Sequence, residues 1–163
     1  ALEILHDDLF PYIELPIDED PRGLIASLSG AIAGAKVRTG GVTPDLYPST
    51  ANLARFVHSC AVAGQPFKAT AGMHHPCRSK NETVGVVEFG FLSVLQATVA
   101  ASIDGVKVEE VETILNMETP DFTSFSDTAL EKVRAELFNS LGSCSIVEPL
   151  KDLRRMGLLK EST

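Results

Sequence analysis

Two lysines stand near the starts of two short apolar runs, and each run ends in a turn of small residues and glycine. Side chains two apart on a strand share a face, so Lys36 points with Arg38 and Lys68 points with Thr70. If the two runs form neighbouring parallel strands, these four polar groups converge. A cation inside an α/β core is costly unless it is paired or used, so the doubled lysine favours a ligand site.

The elements that must position these lysines alternate between strand and helix. After a first strand, a helix is predicted with Asp20 as its N-cap and Pro21 as its first residue. Ser49 or Thr50 caps a second helix, which continues to Ala63 and separates the two lysine strands. This β-α-β-α-β order predicts an α/β fold with parallel strands and right-handed crossovers.

Beyond Gly72 the sequence changes character. A polar loop broken by proline covers residues 73–81, and the chain after this loop is predicted to be mostly helical. The predicted helices are Val87–Ser102, Val108–Asn116, a helix from Ser126 or Asp127 to Leu141, and a last helix that starts near Ser145.

Composition narrows the class of partner. The chain has 163 residues, enough for one domain, with a net charge of -8 at pH 7, so no basic stripe is present to neutralise phosphates. Nucleic acid and anionic membranes are therefore not expected partners, whereas a small metabolite is. The most lipid-like stretch, Val84 to Ile103, contains Glu88 and Gln96, and it is interpreted as a buried helix rather than a membrane span.

Three cysteines without CxxC spacing favour a reducing, cytoplasmic compartment. The sequence begins Ala1-Leu2-Glu3 rather than with methionine, so we keep open that the chain is a fragment of a longer protein. Three parallel strands do not close a barrel, and open sheet edges need covering. We therefore expect a homodimer, or missing strands supplied by the rest of a longer chain.

Most of the candidate ligand-binding residues lie where the predicted strands end. In parallel sheets, ligands bind at the carboxyl ends of strands, so an anionic or carbonyl ligand is expected there. Paired glycines allow a close approach to an anion, although they also serve as plain turns. The candidate substrate-binding residues are Glu14, Arg38, Thr39, Gly40, Gly41, Thr70, Arg78, Ser143 and Ser145.

The two lysine runs resemble paired strands of class I aldolases of the deoxyribose-phosphate aldolase type. Lys36 is followed by Thr39-Gly40, and Lys68 by Ala71-Gly72, as in the two lysine strands of those enzymes. The resemblance implies a (β/α)8 barrel and a lyase activity. It also implies that Lys36 is the Schiff-base nucleophile and that Lys68 is the neighbouring cation that activates it.

A second resemblance covers most of the chain. The run from Phe67 to Pro76, with Gly142-Ser143-Cys144-Ser145 and Glu148-Pro149, is similar to a group of bacterial and plant proteins that has no assigned activity. That resemblance implies a barrel-like or half-barrel fold. We therefore predict one domain over 1–163, with βα units like the later half of a TIM-type barrel over 1–78 and a mostly helical part over 79–163.

Each candidate also has a structural interpretation. Either lysine can form an ion pair with Glu14 instead of binding a ligand. His74 or His75 can act as a general acid/base, can stabilise the loop, or can bind a metal with Cys77 or Glu14, and we predict no metal.

Just before the last predicted helix, Ser143 and Ser145 can hold a phosphate, or Ser145 can be an ordinary N-cap. Between them, Cys144 can be a nucleophile.

The leading functional hypothesis is an enzyme of carbon–carbon or carbonyl chemistry that uses Lys36 or Lys68 and needs no cofactor. In it, Arg38 orients an anionic substrate, and His74 or His75 moves protons. The alternatives are a non-catalytic module that binds a small anion and a structural fragment with an incomplete site.

Overall fold

The protein, described by a computed structural model, is built on a four-stranded sheet joined by helices. The structure describes residues 9–160, so the two ends of the predicted domain, 1–8 and 161–163, lie outside it. The strands are β1 (Tyr12–Glu14), β2 (Gly34–Arg38), β3 (Phe67–Thr70), β4 (Ser79–Asn81), β5 (Val86–Glu88) and β6 (Phe138–Gly142). The helices are α1 (Arg22–Leu28), α2 (Thr50–Ala63), α3 (Phe91–Ala101), α4 (Val108–Leu115), α5 (Asp127–Glu136) and α6 (Val147–Arg155).

The main sheet has the order β1-β2-β3-β6, and each neighbouring pair is parallel. The predicted α/β fold and the parallel pairing of the two lysine strands are therefore confirmed. Within residues 9–160, the four strands of this sheet do not close a barrel, so the barrel resemblance stays a prediction.

Helix α2 begins and ends where the sequence indicates. The Ser49 hydroxyl accepts a hydrogen bond from the Asn52 backbone N–H at 3.1 Å, and Gly64 ends the helix in the left-handed region at φ 61°. The start of α1 differs by one residue from the prediction. Pro21 precedes the helix, and Asp20 accepts a hydrogen bond from the backbone N–H of Arg22 at 3.1 Å.

One face of the sheet is packed against helices. Ala35, Val37 and Ala69 are fully buried on this face together with Phe67. The Phe67 ring lies edge-on to Phe56 of α2, with the ring centroids 5.5 Å apart. Removing such a buried phenylalanine ring costs about 3–5 kcal/mol. The residues that alternate with these core positions point to the opposite face of the sheet.

The predicted helix over 87–102 is wrong in its first turn, because its start belongs to the antiparallel hairpin β4-β5. Asn81 accepts hydrogen bonds from two backbone N–H groups of the turn, and Gly85 takes a positive φ of 78°. Glu88 is buried, and its Oε1 accepts hydrogen bonds from Tyr47 and Asn81, each at 2.8 Å. The helix itself begins only after Gly90.

The predicted helix over 126–141 is also too long. Helix α5 ends at Glu136, and the next residues form β6 beside β3. The backbone N–H of Phe67 donates to the Leu137 carbonyl at 2.8 Å, and the Phe138 ring stacks on Phe67 at 5.2 Å. These tertiary contacts outweigh the local helical pattern because they pair the open edge of β3 and complete the core.

The apolar stretch from Val84 to Ile103 contains the buried helix α3. Most of α3 is buried, and the Gln96 amide exchanges two hydrogen bonds with the Asp121 backbone at 2.7 and 3.1 Å. No helix within residues 9–160 has the length and apolar character needed to cross a bilayer.

The turns after β2 and β3 are in contact, and this contact explains why residue 40 is a glycine. A Cβ added to Gly40 would lie 2.9 Å from the Gly72 Cα and 3.0 Å from the Tyr47 ring. We predict that Gly40→Ala lowers the free energy of unfolding by about 1–3 kcal/mol, because backbone must move to admit the methyl group. Urea denaturation measures this change.

Gly23→Ala is the matched control, because nothing lies within 4 Å of a Cβ at this position in α1. It should stabilise the protein by about 0.5–1 kcal/mol, since alanine is the better helix former. Equal effects of the two substitutions would contradict the packing explanation.

Candidate functional site

A row of polar side chains crosses the sheet face opposite the core. Glu14 of β1 is in register with Lys36 of β2, which is in register with Lys68 of β3, and Ser140 of β6 follows. Partners in register share a face, so the row follows from the parallel pairing. The two lysines and Ser140 are half-buried, as expected for a surface that is not packed against a helix.

Lys36 takes part in an ion pair. Its Nζ lies 2.8 Å from Glu14 Oε2, and Arg38 Nε lies 3.5 Å from the other carboxylate oxygen. The hydrogen bond from Lys36 holds the pKa of the Glu14 carboxyl below its usual value, with further contributions from the charges of Lys36 and Arg38. The predicted structural pairing with Glu14 therefore applies to Lys36.

Lys68 has different surroundings. Its Nζ lies over the Tyr12 ring, 5.0 Å from the centroid, and no carboxylate within residues 9–160 pairs with it. Tyr12 lies across Gly34, where a Cβ would come within 2.5 Å of the ring. Its hydroxyl donates to Asn139 Oδ1 at 2.6 Å, and burial raises the pKa of this phenol. Tyr12 and Asn139 thus close the amino-terminal side of the row.

The carboxyl-terminal side of the row contains Arg38 and Thr70, which are in register. Both threonines of this region bond to backbone. Thr70 Oγ1 donates to the Val37 carbonyl at 3.3 Å, and the fully buried Thr39 donates to the Ala71 carbonyl at 2.6 Å. The threonines therefore hold the two turns together, and Arg38 is the exposed polar group at this edge.

A cleft of about 410 Å³ opens beside Arg38 at the ends of β1 and β2. Glu14, Arg38, Asp18 and Asp45 contribute its charged groups. The two aspartates were not among the sequence candidates, because only the folded loops bring them next to the strand ends. Gly41 does not open this region to a ligand, since a Cβ there would overlap the Leu46 side chain.

The two adjacent histidines have separate partners. His75 Nδ1 lies 2.6 Å from Asp152 of α6, and His74 Nδ1 lies 3.3 Å from Ser143 Oγ and 3.5 Å from Glu148 Oε2. The sequence did not point to Asp152. Its spacing of four from Glu148, which places both on one face of α6, is the signal that could have found it.

The Arg78 side chain binds the carboxyl-terminal end of α4. Its guanidinium donates to the Leu115 carbonyl at 2.8 Å and lies 5.5 Å from the Phe89 ring centroid, and burial lowers its pKa. It also lines a small cleft of about 210 Å³ with His75 and Asp152. Arg78 therefore belongs to the surroundings of His75 rather than to the lysine row.

The serines of the loop between β6 and α6 bond locally. Ser145 Oγ accepts from the Glu148 backbone N–H at 3.3 Å, as the predicted cap would, although α6 begins one residue later than a cap at Ser145 implies. Ser143 Oγ donates to the Ser145 carbonyl at 2.8 Å. Within residues 9–160, no three histidine, cysteine or acidic side chains gather in a way that could hold a metal ion.

We predict that Glu14→Gln reduces stability by no more than about 1 kcal/mol at neutral pH, because the pair is partly exposed. A lowered folded-state pKa stabilises the protein above the unfolded-state value near 4.5, and this contribution is lost as the pH falls through the folded-state value. The difference between wild type and variant should therefore shrink in acid. Urea denaturation across this pH range measures it.

Glu118→Gln, at an exposed position outside the sheet, controls for the loss of one surface charge. A Glu14→Gln difference that stays constant from neutral pH into acid would contradict the ion pair.

Comparisons with protein-family models, with curated proteins and with solved structures find no significant match to this chain.

Proposed function

We propose that the polar sheet face binds a small anionic carbonyl compound and that the chain is an aldolase-like lyase acting through a lysine amine. The observation that carries this proposal is the direct pairing of Lys36 and Lys68 on adjacent parallel strands. Two ammonium groups side by side repel each other, so such a pair is favoured where it serves a ligand or a reaction.

Lys68 is the better candidate for the reacting amine. Lys36 Nζ lies 2.8 Å from the Glu14 carboxylate, so this amine is engaged in an ion pair. Lys68 Nζ lies over the Tyr12 ring, and no carboxylate within residues 9–160 pairs with it, so its amine is the one open to attack a carbonyl carbon. The aldolase resemblance gives the nucleophilic role to Lys36, and the ion pair is the reason for exchanging the two roles.

In the proposed reaction, Lys68 Nζ bonds to the carbonyl carbon of the substrate, and water leaves to give a Schiff base. The protonated imine then accepts the electron pair of the carbon–carbon bond that breaks, while the substrate's β-hydroxyl loses its proton and leaves as an aldehyde. Protonation of the enamine and hydrolysis by water release the second product and the free amine. Arg38, exposed at the carboxyl edge of the sheet, binds the anionic end of the substrate. Glu14 and Lys36, in register beside Lys68, are the groups that pass the proton in this proposal. A proton-transfer role for His74 or His75 stays a prediction.

A second candidate function is anion binding without chemistry. It is supported by the exposed Arg38 guanidinium and by the Lys36–Lys68 pair, whose ammonium groups lie on the sheet face opposite the core. We also propose that a second copy of the chain, or further strands, completes the site, since β1 and β6 each pair with a single strand within residues 9–160.

Light scattering measures the oligomeric state. We expect the mass of a dimer, and a monodisperse monomer would contradict the dimer.

Borohydride trapping tests the amine chemistry. The protein is reduced in the presence of small aldehydes, pyruvate and sugar phosphates, and the adducts are mapped by peptide mass. We expect a stable adduct on Lys68 that Lys68→Arg abolishes, because arginine keeps the charge but forms no Schiff base. Lys80→Arg, at an exposed lysine paired with Glu82, is the matched control and should leave the adduct intact.

An adduct on Lys36 that persists in Lys68→Arg would overturn the choice of Lys68. No adduct on either lysine, with circular dichroism showing a folded chain, would contradict the lyase and leave anion binding. Isothermal titration with phosphate on wild type and Arg38→Gln then decides whether binding occurs.

A further inference from the structure

A second group of reactive side chains lies in loops rather than in the lysine row. His74 follows β3, and Cys144 follows β6; the two loops meet because β3 and β6 are neighbours in the sheet. Cys144 is exposed, and its Sγ lies 3.7 Å from His74 Nε2 and 3.9 Å from His74 Nδ1. This is within reach of a sulfur hydrogen bond, and a thiol beside an imidazole is the arrangement of a nucleophile and its base.

The partners of the other ring nitrogen determine where His74 carries its proton. Ser143 Oγ lies 3.3 Å from Nδ1, and its own hydrogen is used by the Ser145 carbonyl, so this oxygen acts as an acceptor toward the ring. The carboxylate of Glu148, 3.5 Å from Nδ1, can only accept. Two acceptors place the proton on Nδ1 and leave Nε2, 3.7 Å from Sγ, as the nitrogen that can accept the thiol proton.

The other cysteines lack this arrangement. Cys60 is fully buried in the core, and burial strongly raises the pKa of its thiol. Burial also raises the pKa of the Cys77 thiol, and the nearby charge of Asp152 adds to the effect. Both environments disfavour the thiolate, which is the nucleophilic form. Cys144 is the exposed thiol among the three and is the one that contacts a histidine.

We propose that Cys144 is a nucleophile, with His74 as its base, and that the site accepts acyl groups from activated esters or thioesters. The Cys144 thiol proton passes to His74 Nε2, and Sγ bonds to the acyl carbon. The bond from that carbon to its leaving oxygen or sulfur then breaks. The leaving group takes the proton from Nε2, so the products are S-acylated Cys144 and a free alcohol or thiol. This activity does not depend on the proposed lysine chemistry.

Reaction with p-nitrophenyl acetate tests the site. Release of p-nitrophenolate is followed in wild type, Cys144→Ser and His74→Asn, and the acetylated peptides are mapped. We expect one acetyl group on Cys144, no thiol acetylation in Cys144→Ser, and a rate about 100-fold lower in His74→Asn. His58→Asn, at a histidine whose Nε2 contacts the Val106 carbonyl, is the matched control and should keep the wild-type rate.

Alkylation by iodoacetamide compares the reactivity of two cysteines in the same protein. We expect Cys144 to be alkylated before Cys77. His74→Gln serves as the second variant if His74→Asn lowers the melting temperature. Acetylation confined to lysines, or a Cys144 rate that neither histidine substitution changes, would overturn the proposal.

Discussion

The parallel register of β1, β2 and β3 organises both the apolar core and the polar row. Because partners in register share a face, one set of residues packs against the helices and the alternate set forms the polar row. A shift of one residue in β3 would bury Lys68 and expose Phe67, whose ring packs against two other aromatic rings of the core. The apolar packing of Phe67 therefore also fixes the position of Lys68 beside Lys36.

The same sheet order brings the loops together. Insertion of β6 next to β3 places the loop after Gly142 beside the loop after Gly72. His74 and His75 then meet side chains that lie about seventy residues further along the chain, at Ser143 and Asp152. A second cluster of histidine, serine and acidic side chains thus forms through the same topology that builds the lysine row.

The sequence predicts those parts of this arrangement that local signals determine. The Ser49 cap, the Gly64 end and the two lysine strands are set by residues close in the chain. The strand at Phe138–Gly142 was missed because its stability comes from pairing with β3 and from stacking on Phe67, neither of which a local pattern reports. The partner of His75 was missed for the same reason, since Asp152 lies 77 residues away.

We expect a small anionic carbonyl compound to bind the polar face and not the helix-covered side. Residue-resolved NMR during a titration with a three-carbon aldehyde phosphate locates the binding surface. We expect shift changes that cluster at Glu14, Lys36, Arg38 and Lys68 and that weaken in Lys68→Arg. Shift changes confined to the helices, or none at saturating ligand, would contradict it.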